Sequence, residues 1–438
     1  MKSERSIWMG VAIGTVVAAA LIGTGVPPTG TLVLTMVLLG LVFLTAGALA
    51  RRQGSWLRPA IIGAFLVKLM GSAARLWVLQ SVYRGVGDAT VYHNRGLALA
   101  EIWRSLSVPA LTQAGGGSTG TKIVAIITGL LYAPYKPSML GGFFIFATVG
   151  FLGQILLLSA YRRSGLPHHK AYSIAVLFLP SLIFWPSSVG KESLMLFFIG
   201  LTAYGVARLL ASYRFAPIVP IALGLGGAAL IRPHVAVLLL GSLVVALFVV
   251  KAPSVPGAQI RRMVLIVGAG VGFLAVASLA LHTLGLTPDP QEIDPFLTEI
   301  QRRTAQGGSA VTGTVVRSIT QFPAGAATVL FRPFPFEAHN AQAMLSSIEG
   351  TLLLALIIWR LPRMLANLRF VRRRPFLVFS LVYVVVFTVA FSAFLNLGIL
   401  ARERTQVIPF VMALLVGMGW DEGSMSEDAV QTQEVAAP

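Results

Sequence analysis

The chain has no cysteine. That excludes a disulfide framework, a thiolate nucleophile and a cysteine-ligated metal centre. Acids are scarce too: there are 16 Asp and Glu in 438 residues. Five of them fall in the last 18 positions, DEGSMSEDAVQTQEVAAP. Charged residues of both signs make up only 11% of the chain, against about 25% in soluble domains. The six histidines show no HExxH or comparable metal spacing. No nucleotide-binding glycine loop is present. No cofactor is identified, and a divalent metal stays open without any residues that spell its site.

What is present is apolar. The chain is 56% hydrophobic with a mean hydropathy of +0.80, and its net charge is +18. The basic residues cluster between apolar runs, as in cytoplasmic loops beside anionic lipid, so the charge points to membrane lipids and not to nucleic acid. The start, MKSERSIWMGVAIGTVVAAALIG, is expected to be an uncleaved first span, because no small-x-small site closes the run before VPPTG.

A bilayer needs about 20 apolar residues per span. Runs of that kind lie near 6–26, 30–50, 59–82, 138–160, 171–187, 193–211, 215–231, 234–250, 262–284, 346–361, 376–395 and 405–420. The expected fold is therefore all-α: a polytopic integral membrane protein of about twelve transmembrane helices over residues 1–420. The runs 171–187, 215–231 and 234–250 are short, which tilt, pairing or breaks accommodate. Two longer outer loops, about 83–137 and 285–345, interrupt the spans, and an acidic, disordered cytoplasmic tail covers 421–438.

Charge then sets the orientation. With the N-terminus inside, 19 of the 34 Lys and Arg fall in short inner segments such as YRRSGLPHHK and RLPRMLANLRFVRRR. Thirteen fall on the outer side over much longer loops, and Lys68 and Arg75 lie inside the third span. Excess Lys and Arg mark the cytoplasmic side, so both termini are expected there, in a cell inner membrane. In the first outer loop, Val91, Leu97, Leu99, Ile102 and Leu106 have the spacing of a helix lying on the outer leaflet. The stretch KIVAIITGLLYAPY is short and ends in proline, so a re-entrant or interfacial segment is expected.

On this topology the polar clusters gather on one face. Asp88, Tyr92, His93 and Arg95 open the first outer loop. Lys191 and Glu192 sit at the outward tip of a tight hairpin. Arg232 and His234 cap the next tip. Arg332 and Glu337 lie in LFRPFPFEAHN, and Arg402, Glu403 and Arg404 precede the last span. Each cluster has an ordinary alternative. GKES reads as a solvated turn, Arg232 as a snorkelling anchor, Asp88 as a helix cap, and Arg332–Glu337 as a structural ion pair. Together, arginines with a few neighbouring acids suit a phosphate-bearing ligand. Arginine grips phosphate bidentately, and a carboxylate beside it can take a hydroxyl proton. Polyprenyl-phosphate or -diphosphate sugars present such a phosphate at the outer face, with a glycan, lipid or protein hydroxyl as acceptor.

GDATVYHNRG resembles the first-outer-loop acid and tyrosine pattern of GT-C-type membrane glycosyltransferases. ARERTQVIP is similar to the arginine-rich ends of bacterial polysaccharide polymerases and GT-C enzymes, and FWPSSVGKES and FRPFPFE resemble stretches of bacterial envelope membrane proteins. The resemblance covers scattered tips, roughly a tenth of the chain. It implies Asp88 as base or acceptor-orienting acid and Arg402 and Arg404 as holders of the lipid phosphate. From the charged clusters themselves come Glu192 and Glu337 as further candidate catalytic carboxylates, and Tyr92, His93, Arg95, Lys191, Arg232, His234 and Arg332 as candidate substrate- or phosphate-binding residues. The family often pairs its acid with a second one, whereas Ala89 follows Asp88, and no large soluble C-terminal domain follows. A polymerase or ligase relying on Arg232, His234 and Arg332 therefore stays open. So do a lipid-linked saccharide flippase, for which Lys68, Arg75 and His282 are the intramembrane ionisable groups, and a non-catalytic envelope assembly protein.

Overall fold

The computed structural model describes residues 40, 56–105, 118–133, 137–250, 257–285, 293–305, 309–311, 313–338 and 340–418. The expected spans 6–26 and, apart from Gly40, 30–50 lie outside the described residues, as does the tail 421–438. The described residues are helical, with a single isolated antiparallel bridge between Ala310 and Asn396 and no strand.

Five helices are long and apolar enough to cross a membrane: Leu57–Ser81, Met139–Arg163, Lys191–Ser212, Ala258–Thr283 and Gln342–Leu368. A sixth span is formed if His169–Phe178 and Pro180–Ser187, bent by 51° at their junction, are counted as one. Other apolar runs fold into shorter helices, Thr119–Tyr132, Ile218–Ile231, Pro233–Val249, Pro375–Phe391 and Ile408–Met418. Proline punctuates these elements. Pro233 and Pro375 open their helices, where a missing N–H costs nothing, and Pro180 opens the second half of the bent pair. Asn340 and Asn396 cap theirs by accepting from Ala343 N (2.8 Å) and Ile399 N (3.0 Å).

The chain divides into two compact units, one of Met1–Leu152 with Leu182–Leu194 and the other of Gly153–Ser181 with Met195–Pro438. In the first, the Asp88–Arg104 and Thr119–Tyr132 helices pack side by side. Their contact runs through small residues. A Cβ on Gly96 would lie 2.3 Å from Thr128 Cγ2, and one on Gly129 2.6 Å from Leu99 Cβ. The packed face of Asp88–Arg104 is Tyr92, His93, Gly96, Leu99 and Ala100, while Val91 is 43% exposed. Of the residues with the expected apolar spacing, Leu99 lies on this packed face, Val91, Leu97 and Ile102 are less covered, and Leu106 lies outside the described residues. Glycine and alanine let two backbones approach closely, so they define a packing face that hydropathy spacing does not register.

Lys68 belongs to the same unit and is fully buried, its ammonium donating to the carbonyl of Leu182. It does not snorkel. Arg75, two turns further along its helix, stacks on the rings of Phe184 and Trp185 at 5.0 and 4.7 Å.

In the second unit, Pro233–Val249 packs against Ile218–Ile231, Ala258–Leu284 and Pro375–Phe391, and Ile408–Met418 packs against Pro375–Phe391, Ala341–Leu368 and His169–Phe178. Phe376, Phe379, Tyr383, Phe387 and Phe410 form an aromatic core there, with successive ring centroids 4.8–6.5 Å apart. Beyond Ala258–Leu284 the chain forms the amphipathic helix Ile293–Thr304 and a compound helical turn over 319–331. On Ile293–Thr304, Arg302 and Arg303 both donate to Glu299 and hold its carboxyl down at about 2.

Candidate functional site

The first unit carries two of the expected clusters. Asp88 is the first residue of its helix, exposed, with Gly87 in the cap position. Its carboxylate sits at the positive end of the helix dipole. Tyr92 is 4% exposed and Arg95 half-buried on the same helix. His93 is 7% exposed and its Nδ1 is 3.0 Å from the Tyr132 hydroxyl. Gly142 makes room for this pair, since a Cβ there would stand 2.0 Å from Tyr132 Oη and 3.3 Å from His93 Nδ1. Burial lowers the His93 pKa and raises that of the Tyr132 phenol. The imidazole is therefore held neutral with one nitrogen engaged. Tyr132 was not among the sequence candidates, because it ends a segment read as interfacial.

The hairpin tip differs from a solvated turn. Ser187, Ser188, Val189 and Gly190 are all buried, and Ser193 Oγ donates to Ser188 O at 3.0 Å. Lys191 and Glu192 open the Lys191–Ser212 helix half-buried. The acid there lies at the favourable end of the helix dipole.

The second unit holds the densest polar centre. Glu403 is paired with Arg232, which comes from the junction of two earlier helices, and also accepts from Gln406 Nε2. It was expected beside Arg402 and Arg404. The helical turn instead points it at a partner 171 residues away. Arg332 is closed on Glu337, with Nε 2.9 and 3.1 Å from the two carboxylate oxygens, while Phe334 N donates to Glu337 at 2.8 Å. The ion pair foreseen between these two residues is formed. His234 is half-buried with its ring 5.8 Å from Phe391. Arg402 is half-buried.

Arg404 is fully buried. Its Nη1 donates to the carbonyls of Leu330 (3.1 Å) and Arg332 (3.2 Å). Its Nε and Nη2 are buried without a hydrogen-bond partner among the described residues. The charge facing it is Glu349, 6% exposed in the third turn of the Ala341–Leu368 helix. Glu349 Oε2 accepts from Ser181 N at 2.7 Å, and Oε1 has no hydrogen-bond partner among the described residues. Gly350 lets this helix approach, for a Cβ there would stand 2.1 Å from Phe331 O and 3.3 Å from Arg404 Nη1. Glu349 was missing from the sequence candidates. Its signal was plain, a single acid in SSIEGTLLLALIIW, and it joins Lys68 and Arg75 as an ionisable group within the apolar helices. His282, by contrast, is exposed in the last turn of Ala258–Leu284.

Chemically, the second unit offers two arginines already neutralised, Arg232 by Glu403 and Arg332 by Glu337. The third, Arg404, keeps one donor edge uncommitted. No group of three or more His, Asp or Glu that could hold a metal ion occurs among the described residues. Comparison with protein-family models, with curated proteins and with solved structures returns no match.

Proposed function

We propose that this chain is a polytopic membrane protein of about twelve spans, with both termini cytoplasmic in a cell inner membrane. Its activity is transfer of a sugar or oligosaccharide from a polyprenyl-phosphate or -diphosphate carrier to a hydroxyl acceptor at the outer face, in the manner of GT-C-type glycosyltransferases. One observation carries the reading: the buried Arg404 guanidinium presents Nε and Nη2 without partners. Two adjacent guanidinium N–H groups match a phosphate edge, and a buried cation stabilises a departing lipid phosphate more strongly than it would in water. Arg402 stands two residues away on the same turn as a second cation. Asp88 is the proposed base.

Mass spectrometry of polyprenyl-linked saccharides and envelope glycans in cells lacking the gene tests this. A lipid-linked saccharide accumulates and a glycan is lost. Wild type restores the profile, and Arg404→Gln and Asp88→Asn do not. A normal profile with Arg404→Gln sinks the reading, and the size of the accumulated unit separates a transferase from a polymerase.

A second reading is supported by Glu349. An acid in the third turn of a long apolar helix, accepting from the backbone of a bent helix pair, suits a flippase or transporter of the same lipid-linked saccharide. Flux of a fluorescent polyprenyl-phospho-sugar across proteoliposomes without any glycosyl transfer would favour it.

A further inference from the structure

The segment between Ala341–Leu368 and Pro375–Phe391 is a concentrated cationic surface. Arg363, Arg369, Arg372 and Arg373 are exposed, and none forms an ion pair with a described residue. Two of them are gathered on one ring, Arg369 at 4.6 Å and Arg373 at 5.4 Å from the centroid of Phe370. Like charges held together in this way repel, and an anionic partner relieves that repulsion.

The same segment grips the end of the last apolar helix. Asn367 Nδ2 donates to Met418 O at 2.7 Å, and Arg374 Nη1 donates to Gly417 O. Met418, the last described residue before the acidic segment, is therefore held by the stretch that carries the arginine cluster. Residues 419–438 carry five acids and no Lys or Arg. Asp421 and Glu422 follow Met418 by only three and four residues, a reach of about 10–14 Å. Arg369, Arg372 and Arg373 lie within six residues of Asn367 and Arg374, which hold the helix end. The tether also gives these acids a high effective concentration at the cluster, of millimolar order for a short flexible link.

We propose that the acidic segment 419–438 docks in cis on Arg369, Arg372 and Arg373 and screens them from anionic lipid headgroups. Sequence charge and the position of Met418 are its grounds. The proposal is independent of the glycosyl-transfer reading, because none of these residues belongs to that site.

The absence of native cysteine makes a direct test available. In the full chain, in zwitterionic nanodiscs at low salt, Leu368→Cys and Ser424→Cys are oxidised and the rate of disulfide formation is read. Leu368 is exposed, and its replacement leaves every arginine in place. The expected result is fast cross-linking, slowed roughly three- to ten-fold by D421N/E422Q, by R369Q/R372Q/R373Q, or by 0.5 M salt. Anionic nanodiscs compete and slow it likewise. A rate indifferent to both charge variants and to salt overturns the proposal. So does cross-linking that is slow in zwitterionic nanodiscs while R369Q/R372Q/R373Q alone abolishes binding to anionic vesicles, for then lipid is the partner and the tail is not. Thermal melting of each variant beside wild type confirms that a changed rate reflects docking and not loss of the fold.

Discussion

Glu403 is bonded to Arg232, 171 residues earlier in the chain. The two side chains are 7% and 12% exposed, so the pair is close to fully desolvated. Desolvated pairs cost little when both members leave and much when one does. Arg232→Ala or Glu403→Ala alone is expected to destabilise the second unit by about 3–5 kcal/mol. The joint apolar replacement Arg232→Met with Glu403→Leu is expected to recover most of that loss. Melting in detergent of the two single variants and the double variant measures the coupling, and additive losses would dismiss the pair as a structural element.

The His93–Tyr132 contact gives a pH dependence whose sign is fixed by burial. Desolvation lowers the folded His93 pKa below the ordinary 6.5. A base depressed in this way binds fewer protons folded than unfolded, so stability rises with pH through that window. Stability is fully present above 6.5 and falls as the pH drops below it, by up to about 1.4 kcal/mol per unit until the folded pKa is passed. The melting temperature is expected to be higher at pH 7.5 than at 5.5, with a smaller gap in His93→Gln. Tyr132→Phe lowers stability at both pH values, by about 1 kcal/mol for the lost hydrogen bond. An unchanged gap in His93→Gln assigns the pH dependence to other groups.

Glycine-to-alanine substitutions separate close packing from open helix face. Gly129→Ala and Gly142→Ala place a methyl 2.6 Å from Leu99 Cβ and 2.0 Å from Tyr132 Oη. Overpacking of that kind costs about 1–3 kcal/mol. Gly268 has nothing within 4 Å of its Cβ position, so alanine there is expected to be neutral or slightly stabilising through helix propensity. Equal effects at all three positions, read by thermal melting, would refute the assigned helix contact.

These results show which parts of the molecule were legible. Helices such as Met139–Arg163 and Lys191–Ser212 stand out because hydropathy sums over twenty residues, and each residue adds to the same signal. The packing of Asp88–Arg104 on Thr119–Tyr132 was hidden, because Gly96, Ala100 and Gly129 contribute by being small, which no apolar period records. Among site residues, Arg332–Glu337 was visible because the partners are five apart. Arg232–Glu403 and Ser181–Glu349 were not, since sequence spacing carries no information about contacts across helices. Glu349 could have been found as a lone acid in an apolar run. Its relation to Arg404 could not.

Arg404 and Glu349 together decide between a binding centre and a structural pair. If the uncommitted edge of Arg404 serves an anion, Glu349 competes with that anion for the same positive charge. Glu349→Gln can keep the acceptor to Ser181 N while removing the negative charge. It is expected to tighten binding of a soluble prenyl diphosphate probe roughly three- to ten-fold, an electrostatic gain of about 1 kcal/mol. Arg404→Lys keeps the charge but loses the planar fork, so the same probe is expected to bind at least about ten-fold more weakly. If the pair is structural, Glu349→Gln lowers the melting temperature by leaving the buried Arg404 uncompensated, Arg404→Lys lowers it by losing the guanidinium's bonds to the Leu330 and Arg332 carbonyls, and probe affinity is unmoved in both. Binding and melting measured on the same preparations distinguish the two. A tightened Glu349→Gln beside a weakened Arg404→Lys is a pattern that loss of stability alone does not produce.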